Sequence, residues 1–224
     1  MAGITTSMLN SFRQEMFQSG HCFQATLTQT GNTINTNNLI NQLTSTANLV
    51  VGMSVSGTNI PSNTFIGYIV NSTAVVVSNN STGAGQPSIT FTGDTFKIAL
   101  IKFGMTGTYD KTTSNYANVT SNSDEVSGTG YSAGGLALSL NINPSVPDSN
   151  TAITSWTVNP SWTSATIDAA GCIIYNATSP GRIGTTTNRG TSVHDFGGEQ
   201  KVTSGTFTVN FPTANGTAAI LRLA

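Results

Sequence analysis

The stretch that decides the fold is Asp94–Phe103, DTFKIALIKF. Phe96, Ile98, Leu100 and Lys102 alternate with the residues between them. A period of two over eight or more residues predicts a strand with one face turned to a core. Similar runs follow it: LALSLNI at 136–142, AITSWTV at 152–158, ATIDAAGCIIYN at 165–176, TSVHDFG at 191–197, GTFTVNFP at 205–212 and AAILRLA at 218–224. Many short strands separated by Gly, Asn, Ser and Pro predict antiparallel sheets packed as a sandwich. The loops at 104–124 and 177–190 are polar and are expected to be exposed.

Upstream the pattern changes. Met8, Leu9, Phe12, Met16 and Phe17 recur at helical spacing, so a helix is expected over 7–23, capped by Thr5, Thr6 or Ser7 and stopped at Gly20. From Met16 to Gly93 the chain carries no Asp, Glu, Lys or Arg. Within that stretch ATLTQT, NLVVGMSVSG, TFIGYIV, TAVVVS and PSITFT read as four or five strands. The expected fold is therefore mainly β: an antiparallel β-sandwich with one N-terminal helix, formed by 1–23 plus 94–224, and a small inserted all-β module at 24–93.

Charged residues make up 8% of the 224, with a net charge of −1, against roughly 25% in an average soluble protein. Thr (37), Ser (25) and Asn (23) take their place. With so few Lys and Arg, phosphate-based nucleic-acid binding is not expected. No apolar run approaches the roughly 20 residues of a membrane helix, and the start MAGITTSMLNSF shows no secretory signal pattern. A surface soluble through neutral hydrogen bonding, with little repulsion between identical copies, suits a protein that works in an assembly, as a homo-oligomer.

The chemistry-bearing residues are few. His194 and Asp195 are neighbours on a strand and point to opposite faces, so they do not form a dyad; they read as a strand end leading into a Gly197-Gly198 turn. His21, Cys22, Cys172 and His194 lack metal-ligand spacing, and the two cysteines read as small buried hydrophobes, with a disulfide as the alternative. The acid pair Asp124-Glu125 precedes SGTGYSAGG, but no GK[ST] and no helix follow, so its glycines read as turn or bulge formers. No catalytic residue, cofactor or metal is assigned, and no enzymatic activity is expected. Trp156 reads as core. Phe12, Met16 and Phe17 on the helix, with Tyr109 and Tyr116 in the polar loop, are the interface candidates.

Taken together, SMLNSFRQEMFQSGHCF, DTFKIALIK, the Thr/Ser/Tyr-rich loop, EVSGTGYSAGG, WTVNPSWTSATIDAAGCIIYNAT, VHDFGGEQKVTSGTFTVNFP and AAILRLA resemble a recurrent tailed-bacteriophage virion protein family. In that pattern the helix runs almost directly into DTFKIAL, whereas about 70 uncharged residues intervene here. The resemblance implies a structural role in the particle. The expectation is a capsid decoration or cement protein on the outer shell, made in the host cytoplasm and bound to the major capsid protein or other virion proteins. The alternatives are a neck, tail or fibre-base adaptor, and a host-surface glycan-binding module.

Overall fold

The structure is a computed structural model that describes residues 2–139, 141–178 and 185–223. The chain divides into two compact units, one formed by Met1–His21 with Thr95–Ala224 and the other by Cys22–Asp94. In chain order the first opens with β1 (Gly3–Ile4), β2 (Ser7–Met8) and helix α1 (Asn10–Phe17). The second holds β3 (Leu27–Thr30), β4 (Asn32–Thr33), β5 (Leu39–Asn41), β6 (Ser54–Gly57), β7 (Thr64–Asn71), β8 (Ala74–Val77) and β9 (Ser88–Thr92). The first then resumes with β10 (Phe96–Lys102), β11 (Thr108–Tyr109), helix α2 (Ala117–Ser121), β12 (Leu136–Ala137) and β13 (Asn141–Ser145). It ends with β14 (Ala152–Trp156), β15 (Ser161–Asn176), β16 (Arg189–Thr208) and β17 (Leu221–Leu223). The fold is mainly β and sandwich-like, with 45% strand and 6% helix among the described residues.

In the first unit a five-stranded sheet runs β12-β10-β15-β16-β2, and a three-stranded sheet runs β13-β14-β17. Phe96 of the larger sheet meets Trp156 of the smaller, with ring centroids 5.4 Å apart, and this contact joins the two layers. DTFKIALIKF forms β10, but its alternation understates its burial. Ile98, Ala99, Leu100 and Ile101 are all fully buried, because β10 lies inside the sheet with both faces covered. β12 pairs only with Lys97 and Ile98. Beyond it, the backbone of 124–126 closes the outer edge of β10: Lys102 N–H donates to the Asp124 carbonyl at 2.8 Å and Val126 N–H to the Leu100 carbonyl at 3.0 Å.

Two expected strands, 191–197 and 205–212, are one. β16 runs unbroken from Arg189 to Thr208. Opposite β15, Asp195 pairs with Gly171 but Gln200 pairs with Ala169. Phe196–Glu199 therefore bulge out of the ladder, with Gly197 (φ 79°) and Gly198 (φ 135°) supplying backbone angles that side-chain-bearing residues avoid. Glycines that suggested a turn instead bend a continuous strand.

The helix is shorter than expected. Ser7 and Met8 pair with Val193 and Ser192 as a strand, and α1 covers only Asn10–Phe17. None of the expected side-chain caps forms; Thr6 Oγ1 instead accepts the N–H of Asp195 at 2.9 Å. At the far end Gly20 N–H donates to the Glu15 carbonyl at 2.8 Å and Ser19 N–H to that of Met16 at 3.2 Å. That pair is a Schellman motif, and Ser19, at φ 56°, occupies the left-handed position that glycine usually fills.

The second unit is a seven-stranded sheet ordered β3-β9-β6-β7-β8-β5-β4. Its core includes Ile40, Met53, Ile66, Val75, Ile89 and Phe91. Two more strands exist than the upper expectation of five. β4 and β5 are only two and three residues long and lie in the Asn-rich NTINTNNLIN, where no alternation can develop. The expected tip at 177–190 lies for residues 179–184 outside the described residues. So does residue 140 of the expected LALSLNI strand.

Candidate interface

α1 buries one face in its own unit. Leu9 is fully buried and Phe12 is 1% exposed, its ring edge-on to His21 at 4.9 Å. His21 is held from both sides. Asn176 Oδ1 accepts the N–H of Thr178, which turns Asn176 Nδ2 toward His21 Nδ1 at 3.0 Å. On the other side of the ring, Nε2 lies 2.7 Å from Glu15 Oε2. The second Glu15 oxygen lies 3.4 Å from Arg189 Nε. Phe12 is thus a packing residue, which corrects its assignment to a docking surface: an apolar stripe on a helix does not say which part of it the same chain already covers. Met16 and Phe17 remain outside, 39% and 94% exposed.

The polar loop is less open than expected. It folds into β11, which pairs in parallel with β1, and into α2, whose Val119 is fully buried. Tyr109 is 1% exposed, and its hydroxyl donates to Asp124 at 2.6 Å. Tyr116 stacks on Tyr175, centroids 4.6 Å apart, and donates to Glu125. Tyr109 is therefore no contact residue for a partner, and Tyr116 is engaged within the unit.

The acid pair organises this. Because 124–126 runs as an edge beside β10, its adjacent side chains point to opposite sides. Asp124 accepts from Thr106 N–H at 2.9 Å, Gly107 N–H at 2.7 Å and Tyr109. Glu125 accepts from Tyr116, from Tyr131 at 2.8 Å and from Gly134 N–H at 2.7 Å. Burial pushes the Asp124 carboxyl up, but hydrogen bonds led by Tyr109 outweigh it and hold the group below the usual carboxylate range. Burial first, and Glu125 second, raise the Tyr116 and Tyr131 hydroxyls and bring Tyr175 to about 12. SGTGYSAGG is thus a wrap around Glu125. At Gly135 a Cβ would meet the Ile98 carbonyl at 1.8 Å, so only glycine fits.

His194 and Cys172 are cross-strand partners on β16 and β15. His194 Nε2 bonds Ser192 Oγ at 2.9 Å, and burial pulls the imidazole down to about 4. Burial also pushes the Cys172 thiol up, the direction opposite to a reactive thiolate. Both cysteines are free and buried. Among the described residues no three His, Cys, Asp or Glu side chains gather as metal ligands, and no helix is long and apolar enough to cross a membrane.

His194 and Cys172 line a groove of about 700 Å³ between the distal half of β16 and the segment 209–220. Phe196, Phe207 and Phe211 wall it. Sequence reading missed this site. Its available signal was three phenylalanines in VHDFGG and GTFTVNFP, but the intervening bulge hides that they converge. No family model, no curated protein and no solved structure matches the chain.

Proposed function

We propose that the chain is a structural protein of a tailed-bacteriophage virion, a capsid decoration protein that docks on the outer shell through the C-terminal end of α1. The observation that carries this reading is Phe17, 94% exposed on a helix whose Leu9 and Phe12 are buried. An aromatic side chain left in water beside a half-exposed Met16 is a ready anchor, and its burial against a partner contributes roughly 1.5–3 kcal/mol per copy. The resemblance of 7–23 and 94–224 to virion proteins supports the particle as the setting. The low charge supports close packing of identical copies, each held by the major capsid protein or by its neighbours.

The test is occupancy. Phe17→Ser, folded by circular dichroism, is expected to be lost from purified particles that carry the wild-type chain. Incorporation at normal occupancy would overturn the docking role. Copy number separates the shell from the neck or tail: hundreds per particle fit decoration, whereas between about six and a few tens fit a ring.

A further inference from the structure

We propose that the groove along β16 binds a neutral oligosaccharide, stacked against Phe196 and Phe211 and hydrogen-bonded through Gln200, Thr206 and Asn210. The walls are set in advance. Phe211 lies 6.3 Å from Trp156, Phe207 lies 6.1 Å from Trp162, and Phe196 lies 6.4 Å from Phe207. The two tryptophans are buried, so the rings in front of them rest on rigid supports, and little freedom is lost on binding. Phe196 is carried by the bulge, which is itself pinned by Asp195 N–H to Thr6 Oγ1 at 2.9 Å and by Gly197 N–H to Asp195 Oδ1 at 2.9 Å.

The polar lining selects the ligand class. Gln200 and Thr206 have no side-chain hydrogen-bond partner among the described residues, and both are exposed. Asn210 uses Oδ1 to accept from Asn159 at 3.2 Å, which leaves its amide N–H groups for a ligand. Lys201 is the one Lys or Arg in the lining, and it lies 3.5 Å from Asp168 and 3.7 Å from Glu199. Its charge is already compensated, so the groove offers no free cation to a phosphate, sulfate or carboxylate. A purely apolar ligand would strip water from amides and hydroxyls without replacing their bonds. A peptide strand added to β16 would need a regular ladder, which the bulge at 196–199 interrupts. A pyranose has what remains: a C–H face for the rings and a rim of neutral hydroxyls for the amides. The volume, about 700 Å³, lies inside the roughly 300–1,000 Å³ range of small-molecule sites and takes a short chain of such rings.

The experiment uses the isolated full chain, so its outcome is separate from particle docking. The chain is screened on a printed array of neutral lactose-, maltose- and chitin-type oligosaccharides beside their sialylated and sulfated counterparts. The strongest binder is then titrated by calorimetry and by tryptophan fluorescence, which Trp156 and Trp162 report from behind the groove. Neutral glycans are expected to bind. Phe196→Ala and Gln200→Ala should each weaken affinity at least tenfold, while Tyr68→Ala, in the other unit, should leave it unchanged. The proposal is overturned if no neutral glycan binds above background, if only the anionic glycans bind, or if both groove variants bind like wild type. It is overturned equally if the chain dimerises with rising concentration and Phe196→Ala abolishes the dimer, for the groove is then filled by a second copy.

Discussion

Cys22 and Asp94 hold each other at the two ends of the uncharged unit. Asp94 N–H donates to the Cys22 carbonyl at 2.8 Å, and the Asp94 carboxylate accepts the Cys22 N–H at 2.8 Å. The segments that lead into β3 and out of β9 are thereby closed on one another. Just inside, Gly93 passes so near Gln24 that a Cβ there would meet its carbonyl at 2.0 Å. Asp94→Ala leaves a buried N–H without its carboxylate and is expected to destabilise this unit by about 1–3 kcal/mol. Urea unfolding of an excised 22–94 fragment, with and without the change, measures it. A fragment that does not fold at all would show that the unit is not autonomous.

Phe12 and Phe17 should separate stability from docking. Phe12→Ala empties a buried site and is expected to cost about 3–5 kcal/mol. Phe17→Ala, on a side chain already in water, should stay within about 0.5 kcal/mol of wild type. Chemical denaturation of both variants checks the pair, and equal costs would contradict the burial described here.

Ser19→Gly should stabilise. A non-glycine residue in the left-handed region carries a strain of roughly 1–2 kcal/mol, partly offset by the greater unfolded-state entropy of glycine. The expected gain is up to about 1 kcal/mol, read as a rise in melting temperature. A fall would mean that the Ser19 side chain contributes a contact that outweighs its backbone strain.

Acid should weaken the protein in two steps. His194 drops from 6.5 to about 4 on folding, so between those values the unfolded chain binds the proton and the native chain does not. Stability is lost as pH falls through that window, on the order of 3 kcal/mol in all. His194→Gln should flatten this step in melting curves taken from pH 7 to 4. Asp124, held below its ordinary value, adds a further loss below about pH 4 that the His194 variant retains.

Alkali acts on the tyrosine cluster. Tyr175 is raised to about 12, and Tyr116 and Tyr131 are raised with it, so the unfolded chain ionises first. Their contribution is whole below about pH 10 and is lost as pH rises through the folded values. Ultraviolet titration at 295 nm should show these phenols ionising only with unfolding. Glu125→Ala, which strands two hydroxyls and the Gly134 N–H, is expected to cost about 2–4 kcal/mol at neutral pH.

Much of the architecture was legible because short apolar runs bounded by turn residues are written locally: β10, β14 and β17 fall within the expected runs and β15 contains its run, although β10, β14 and the second half of β15 are buried continuously and not every second residue. What escaped depends on partners distant in the chain. Phe12 and Phe17 both belong to the apolar set of one helix but lie about 140° apart around it, and the folded unit covers the first and not the second. Tyr109 sits in a string of polar residues, and it is buried because Asp124, 15 positions on, turns inward to receive it. Gly197-Gly198 has the composition of a turn, and only the pairing with Gly171 and Ala169 reveals a bulge. The groove depends on that bulge and on the convergence of Phe196, Phe207 and Phe211 around it.

The pairing scheme also sets a timetable. Every strand of the Cys22–Asp94 unit finds its partners inside that unit, so it can close as soon as Asp94 leaves the ribosome. β1 waits for Thr108 and Tyr109, and β2 waits for Ser192 and Val193. At about 5–20 residues per second, β2 stays unpaired for on the order of ten seconds or more while the rest of its sheet is synthesised. Met8 and Leu9 are held open through that interval, so co-translational chaperones would meet the β2 segment rather than the already closed sheet of Cys22–Asp94.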